Sequence, residues 1–365
     1  MQGQRESELF ADVTSLCDRG CSCCQANASA CNYHHMSPET ASLLSERIKE
    51  SPYDKIVIYV SGGEPLLYPR LADFLNKITS EAGEKLKAIR LETSGLSSTE
   101  DKEAQMLGEI LQSSAAKKMD VCASFHLFQK DFPQRLENIL KMLLEKDYRL
   151  LGITIRLVLS CENFYDTFAS LKKVFVKLSR AGFFITPWLL PIKKDSFNHR
   201  LIKACGNHIS SRNTGKELYQ AAMLCECAYL AQTYDLFKRR IMPIFLVANS
   251  FNPWRGRAKN LINHHPLFDI TGCQALQKGY TDPSRDYVAV STRGQYFPHE
   301  CLPGNPPFSF GALEDISLEK AACLNKKITA EILKRIHASQ EKFNKHRDLC
   351  EICVQHADNM GLRIN

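Results

Sequence analysis

Short apolar runs recur in the first half of this chain at a nearly constant interval, and that interval restricts the possible folds more than any other feature. The runs are IVIYV from Ile56, AIRLETS from Ala88, DVCASFH from Asp120, GITIRLVLS from Gly152 and FFITPWLLP from Phe183. They begin 32, 32, 32 and 31 residues apart, which is the length of one strand, one helix and the loop that returns the chain. A further run, LFADVTS from Leu9, precedes them. Runs rich in β-branched residues fit strands of a parallel sheet covered on both faces. The pieces between them carry helix signals. In SPETASLLSERIKES, Ser37 is a ready N-cap with Pro38 at the first helical position, where its missing N–H costs nothing. In PQRLENILKMLLEK, Leu136, Ile139, Leu140, Leu143 and Leu144 recur at helical spacing. The expected fold class is α/β, a partial (β/α)6 TIM-like barrel whose chemistry lies on the loops following the strands. A doubly wound open sheet is the rival arrangement.

The rhythm breaks near Asn198, and the expected organisation is a core over residues 1–195, a helical insertion or linker over 196–250, and a second domain over 251–365. The chain is 365 residues long with 44% apolar and 24% charged residues, enough to fill a large core. Its net charge of +7 is scattered, with no run longer than IKK or FKRR, so no nucleic-acid partner is expected. The N-terminus lacks a signal peptide and the longest apolar stretch, near IMPIFLVA, is too short to span a bilayer. The expected location is cytoplasmic, with no membrane partner. In that compartment thiols stay reduced, so 15 cysteines, an odd number, point to metal binding or catalysis.

SLCDRGCSCC follows the first expected strand and places Cys17, Cys21 and Cys24 three and two residues apart. Three thiolates in one loop leave a fourth metal position for something else, unlike the two-pair ligand sets of structural zinc. VSGGEPLL follows the second expected strand. Its glycines suit a site where backbone must approach a ligand closely.

CxxxCxxC after the first strand, with a GGEP loop after the second, resembles the radical S-adenosylmethionine (SAM) superfamily. The resemblance implies a [4Fe-4S] cluster held by Cys17, Cys21 and Cys24, whose open iron is chelated by SAM. It implies SAM contacts from Gly62, Gly63, Glu64 and Pro65 and, with weaker matches, from Glu92, Thr93, Ser94, Ser124, Arg156 and Asn163. The residue before the last ligand, aromatic in most of that family, is Cys23 here.

Near the C-terminus, TGCQALQKGY, RGQYFPHEC and CEIC supply Cys273, Cys301, Cys350 and Cys353. Four such thiols suit zinc or an iron–sulfur cluster alike. Their order resembles the auxiliary-cluster extension called SPASM or twitch, which implies a second [4Fe-4S] cluster. No cysteine follows Cys353, so the shorter, one-cluster arrangement is expected, with Cys323 or His356 as a substitute ligand.

The function implied by the resemblance is generation of a 5′-deoxyadenosyl radical that abstracts hydrogen from an unactivated C–H bond. The substrate would be a ribosomally made peptide, crosslinked or epimerised, or a small molecule undergoing dehydrogenation. Only about eight residues precede the first expected strand, so a leader peptide is expected to need a separate partner protein or the helical insertion. A flavodoxin or ferredoxin would supply the electron. Cys205, Cys225 and Cys227 are candidate hydrogen donors, and His126, His264 and His265 candidate bases; core packing and surface solvation are their ordinary roles. A non-catalytic iron–sulfur or zinc scaffold is the reading from a different class.

Overall fold

The structure is a computed structural model that describes residues 5–21, 24, 28–126, 130–145, 150–159, 164–181, 244–250, 285–298, 308–340, 355 and 358–362. Six strands, β1 (Glu6–Thr14), β2 (Lys55–Gly62), β3 (Leu86–Thr93), β4 (Met119–His126), β5 (Gly152–Leu159) and β6 (Ile244–Ser250), lie side by side in chain order and run parallel. Helices α1 (Pro38–Glu50), α2 (Leu71–Ala82), α3 (Lys102–Gln112), α4 (Phe132–Glu145) and α5 (Phe164–Arg180) fill the crossovers. Parallel crossovers are right-handed, so strands that advance without reversal send every helix to the same face. A doubly wound sheet needs a reversal of strand order. From β1 to β6 there is no such reversal; it comes only where the strand Arg285–Val290 returns to the far side of β1.

The sheet is open. The far edge of β1 is taken by β7 (Arg285–Val290), also parallel, and β8 (Gln295–Phe297) and β9 (Gly311–Ala312) follow antiparallel. Helix α6 (Leu318–Gln340) packs on this edge, where Asn325 donates to the Tyr287 carbonyl at 3.0 Å. Arg47 of α1 ties in the last hairpin by donating to the Leu313 carbonyl at 2.9 Å.

The first five expected strands are all present, but the partner of β5 is Ile244–Ser250. The run at 183–191 lies outside the described residues. A constant period predicts the next strand from spacing alone, whereas the described neighbour of β5 begins far beyond that spacing, at Ile244. IFLVANS therefore belongs to the sheet although it falls in the span read as a helical linker, and β7 to β9 join the same sheet from the span read as a separate domain.

Alternation explains why these residues make these strands. Leu9, Ala11 and Val13 of β1, Ile56, Ile58 and Val60 of β2, and Ile89 and Leu91 of β3 are buried against the helices. They pack with Leu44 and Ile48 of α1, Leu75 and Ile78 of α2, and Leu107 of α3. Each such side chain contributes roughly 1.5–3 kcal/mol by leaving water, and a one-residue slip would expose a whole strand's set. The intervening residues Phe10, Tyr59, Arg90, Glu92, Asp120 and Thr154 occupy the opposite face. There Phe10 stacks on Tyr59, the Arg90 guanidinium sits over the Tyr59 ring, and Arg90 donates to Asp120 at 2.9 Å.

Candidate active site

The C-terminal ends of β1, β2 and β3 meet at one rim. As β1 ends, the register with β2 shifts between Asp12 and Thr14, and the two loops stay hydrogen-bonded beyond the strands. Gly63 N–H donates to the Thr14 carbonyl at 2.6 Å and Glu64 N–H to the Leu16 carbonyl at 2.8 Å. A Cβ on Gly62 would stand 2.2 Å from the Thr14 carbonyl oxygen, and one on Gly63 would stand 2.1 Å from that of Leu16. Gly62 also has φ of +117°, which disfavours any side chain. The glycines are therefore required by the backbone of the cysteine loop itself, a tighter constraint than the ligand approach expected from sequence.

Segment 28–36 folds back along the loop. Cys17 N–H donates to the Ser29 carbonyl at 3.0 Å, Ser15 N–H to that of His34 at 2.8 Å, and Met36 N–H to that of Val13 at 2.8 Å. Thr14 Oγ1 and His35 Nδ1 share a hydrogen bond of 2.8 Å. Cys17 is buried, whereas Cys21 and Cys24 are half-exposed across a turn in which Cys24 N–H reaches the Cys21 carbonyl at 3.2 Å. Burial pushes the Cys17 thiol up to about 12, with the Glu64 carboxylate adding to the effect. Such a thiol keeps its proton until a metal displaces it.

Glu64 is fully buried, and its carboxylate is engaged inside the fold. Ser94 donates to its Oε2 twice, from the backbone N–H at 2.8 Å and from Oγ at 2.6 Å, and Leu66 N–H donates to Oε1 at 3.3 Å. Pro65 is buried as the first residue of a 3-10 turn, Pro65–Leu67. The side chains of Glu64 and Ser94, two of the residues expected to contact SAM, thus join the second loop to the third.

Arg19 completes that junction, and sequence reasoning missed it. Its guanidinium donates from Nε to Ser94 Oγ at 2.7 Å, to Ser97 Oγ at 3.1 Å, to the Gly95 carbonyl at 3.2 Å and to Glu103 of α3. An arginine between two loop cysteines reads as solvated in a sequence, and Glu103 reads as an ordinary first-turn acid. Only the β1–β2–β3 adjacency brings the two together. Burial pushes the Glu103 carboxyl up to about 7, against the opposing pull of its hydrogen bond to Arg19.

The remaining expected residues divide by face. Thr93 is buried on the helix side, where its Oγ1 accepts from Gly95 N–H at 3.2 Å and shapes the loop. Glu92 lies on the open face and is bound by Arg156 of β5 through both guanidinium nitrogens, one at 2.6 Å. Ser124 of β4 is half-buried in register with Arg156. Between them is Cys122, whose thiol burial and the Glu92 carboxylate push up to about 12. Asn163, Cys23, Cys205, Cys225, Cys227, Cys273, Cys301, Cys350, Cys353, His264, His265 and His356 lie outside the described residues. Cys323 is exposed on α6.

Among the described residues no three His, Cys, Asp or Glu side chains gather around a single metal position. Iron–sulfur clusters place successive thiolates on different irons, so their ligands need not converge on one point. Three thiols on one loop fit such a cluster by donor type, and they do not form a site for one ion. Among the described residues no helix is long and apolar enough to cross a membrane.

Residues 12–114 match the family model described as the radical SAM superfamily. No curated protein matches the chain. Similar solved structures include native anSMEcpe with bound AdoMet and Cp18Cys peptide, at 14% identity over 89% of this chain and 83% of that one, with a TM-score of 0.48. They also include Streptococcus suis SuiB bound to S-adenosylmethionine, at 15% identity over 87% and 64%, TM-score 0.46. BtrN in complex with AdoMet and 2-DOIA aligns at 12% identity over 92% and 87%, TM-score 0.39.

Proposed function

We infer that this chain, whose residues 12–114 carry a radical SAM domain, is a radical SAM enzyme in which Cys17, Cys21 and Cys24 hold a [4Fe-4S] cluster. The observation that carries the reading is the direct hydrogen bonding of the cysteine loop to the GGEP loop through Thr14, Leu16, Gly63 and Glu64. A ligand shared by the two loops would meet a preformed platform. When bound, the cluster and SAM supply one-electron reductive cleavage to methionine and a 5′-deoxyadenosyl radical able to abstract hydrogen from an unactivated C–H bond.

The chain's own residues do the positioning. Gly62 and Gly63 let the two loops touch, Glu64 and Ser94 fix the second loop to the third, and the Glu92–Arg156 pair with Ser124 presents polar groups on the open face below the rim. In this proposal SAM contacts come from Gly62, Gly63, Pro65, Ser124 and the Glu92–Arg156 pair, with Asn163 beside them. Cys273, Cys301, Cys350 and Cys353 would hold an auxiliary [4Fe-4S] cluster of the SPASM or twitch type, with a flavodoxin or ferredoxin as electron donor. That cysteine pattern supports a ribosomally made peptide as substrate, with oxidation of a small molecule as the alternative outcome.

Anaerobic reconstitution tests the reading. About eight irons per chain are expected, falling by about four in a Cys17/Cys21/Cys24→Ala variant, with 5′-deoxyadenosine formed from SAM and dithionite only by the wild type. About four irons with no deoxyadenosine would identify a metal scaffold instead.

A further inference from the structure

The three rim loops form a closed ring around Cys17. Glu64 N–H donates to the Leu16 carbonyl, the Glu64 carboxylate accepts from Ser94 Oγ, and Ser94 Oγ accepts from Arg19 Nε. The chain from Leu16 to Arg19 closes the ring covalently, with Cys17 inside it. Arg19 is then locked to α3 through Glu103, in a position where its side chain has no exposure and that of Glu103 has 5%. Nothing about folding α3 onto the sheet requires an arginine from the loop after β1. What the contact fixes is the backbone between Leu16 and Cys21 relative to the GGEP loop.

We propose that Arg19 is a positioning residue, held by Glu103 and Ser94, that sets where Cys17 stands relative to the GGEP loop and thereby how SAM meets the cluster. The proposal rests on the radical SAM reading with Cys17 as a ligand. Arg19 does not touch SAM. It acts through Cys17 on one side and through Ser94 and Glu64 on the other. The device is built from the protein alone, so the Cys17 side of the site is organised before any cluster is bound, and Cys21 and Cys24 approach from the more exposed part of the loop.

A merely structural ion pair predicts something different, and one variant separates the two. Arg19→Met/Glu103→Leu removes the pair together and leaves Glu64 as the one buried carboxylate of the junction, still held by Ser94 and Leu66, and an apolar pair of similar volume preserves stability in such cases. The metal-free double variant should melt close to wild type and the reconstituted protein should hold as much iron. The electron paramagnetic resonance (EPR) spectrum of the dithionite-reduced protein, titrated with SAM, is the deciding readout. In wild type SAM changes the cluster spectrum. In the double variant the half-change is expected to need about ten-fold more SAM. Loss of the cluster from a variant that still melts like wild type would support the same role. A SAM titration identical to wild type would overturn it.

Ser94→Ala supplies a second test, with the ion pair left intact in case the double variant does not fold. Losing the hydroxyl that joins Arg19 to Glu64 should weaken SAM several-fold, the effect of one hydrogen bond, and an unchanged titration would count against the ring. A wild type that gives no SAM-dependent spectral change would instead remove the radical SAM reading, and the inference with it.

Discussion

Two arginines bind carboxylates at the same end of this sheet, and they sit in different surroundings. Arg19 and Glu103 have side-chain exposures of 0% and 5%, whereas Arg156 and Glu92 keep 26% and 17%. The first pair lies under the rim loops, sealed against α3. The second lies on the face turned from the helices, where Glu92, Ser124 and Arg156 keep partial exposure. A charge pair out of reach of solvent has only its partners to satisfy it and so belongs to the scaffold. A half-open pair can exchange a partner for a ligand at little cost, because water and the ligand compete on similar terms. The difference separates the part of the rim that holds the site's shape from the part that can read what enters it.

The largest expected effect breaks the sealed pair from one side only. Arg19→Met leaves Glu103 buried without its cation and should cost about 3–5 kcal/mol of the metal-free protein's stability, read from chemical denaturation. Arg156→Leu, made on the half-open pair, should cost about 1 kcal/mol. Equal losses would show that the two sites are not distinct in kind. Next in size, Gly63→Ala forces a Cβ to within 2.1 Å of the Leu16 carbonyl oxygen, and overpacking of this sort costs about 1–3 kcal/mol. Since the same contact joins the cysteine loop to the GGEP loop, iron content after reconstitution should fall along with the melting temperature. A variant that melts lower but holds all its iron would show that the loops can part without loss of the cluster.

A smaller effect on stability, with a larger one on binding, is expected at the half-open pair. Glu92→Gln/Arg156→Gln keeps hydrogen-bonding groups on both strands and should lower stability by no more than about 1 kcal/mol. If SAM or substrate uses these groups, the concentration needed for half-maximal 5′-deoxyadenosine formation should rise about ten-fold. An unchanged requirement would move the ligand away from Glu92 and Arg156 and leave the pair as a brace between β3 and β5.

The contrast also marks what could be read from the sequence. The core-facing residues were legible because alternation and helical spacing are local: Ile56, Ile58 and Val60 reveal their face without reference to any other strand. The two loops of the rim stood out because CxxxCxxC and GGEP are contiguous motifs. The sealed pair was not, since Arg19 and Glu103 are 84 residues apart and meet only through the order of β1, β2 and β3. Glu92, Thr93 and Ser94 were assigned together from one motif, yet Glu92 and Thr93 alternate to opposite faces of β3, while Ser94, past the strand's end, reaches Glu64 and Arg19. The described neighbour of β5 was not foreseen, for the complementary reason. A period carries a strand forward only by its own spacing, and Ile244–Ser250, far beyond that spacing, has to be recognised from its own short apolar run.

The smallest effect is a change in pH dependence that reports on segment 28–36, which runs back along the cysteine loop. Burial lowers the pKa of His35 below its ordinary 6.5, so the imidazole bound to Thr14 is held neutral in the folded chain. A base whose folded value is depressed contributes stability that is complete above its unfolded pKa and is lost as the pH falls through the folded one. Glu103 acts in the opposite sense: raised from 4.5 to about 7, it contributes stability below 4.5 that is lost as the pH rises through about 7. The two partly cancel in the wild type, so the slope of one protein decides nothing and the difference between variants decides. His35→Gln keeps an acceptor for Thr14 and removes the titration. Between about pH 7.5 and 5.5 the metal-free variant should lose less melting temperature on acidification than wild type, whereas Glu103→Gln should lose more. Parallel curves for His35→Gln and wild type would mean that His35 is hydrated enough to titrate normally, and that the returning segment does not seal the cysteine loop as the Thr14–His35 hydrogen bond indicates.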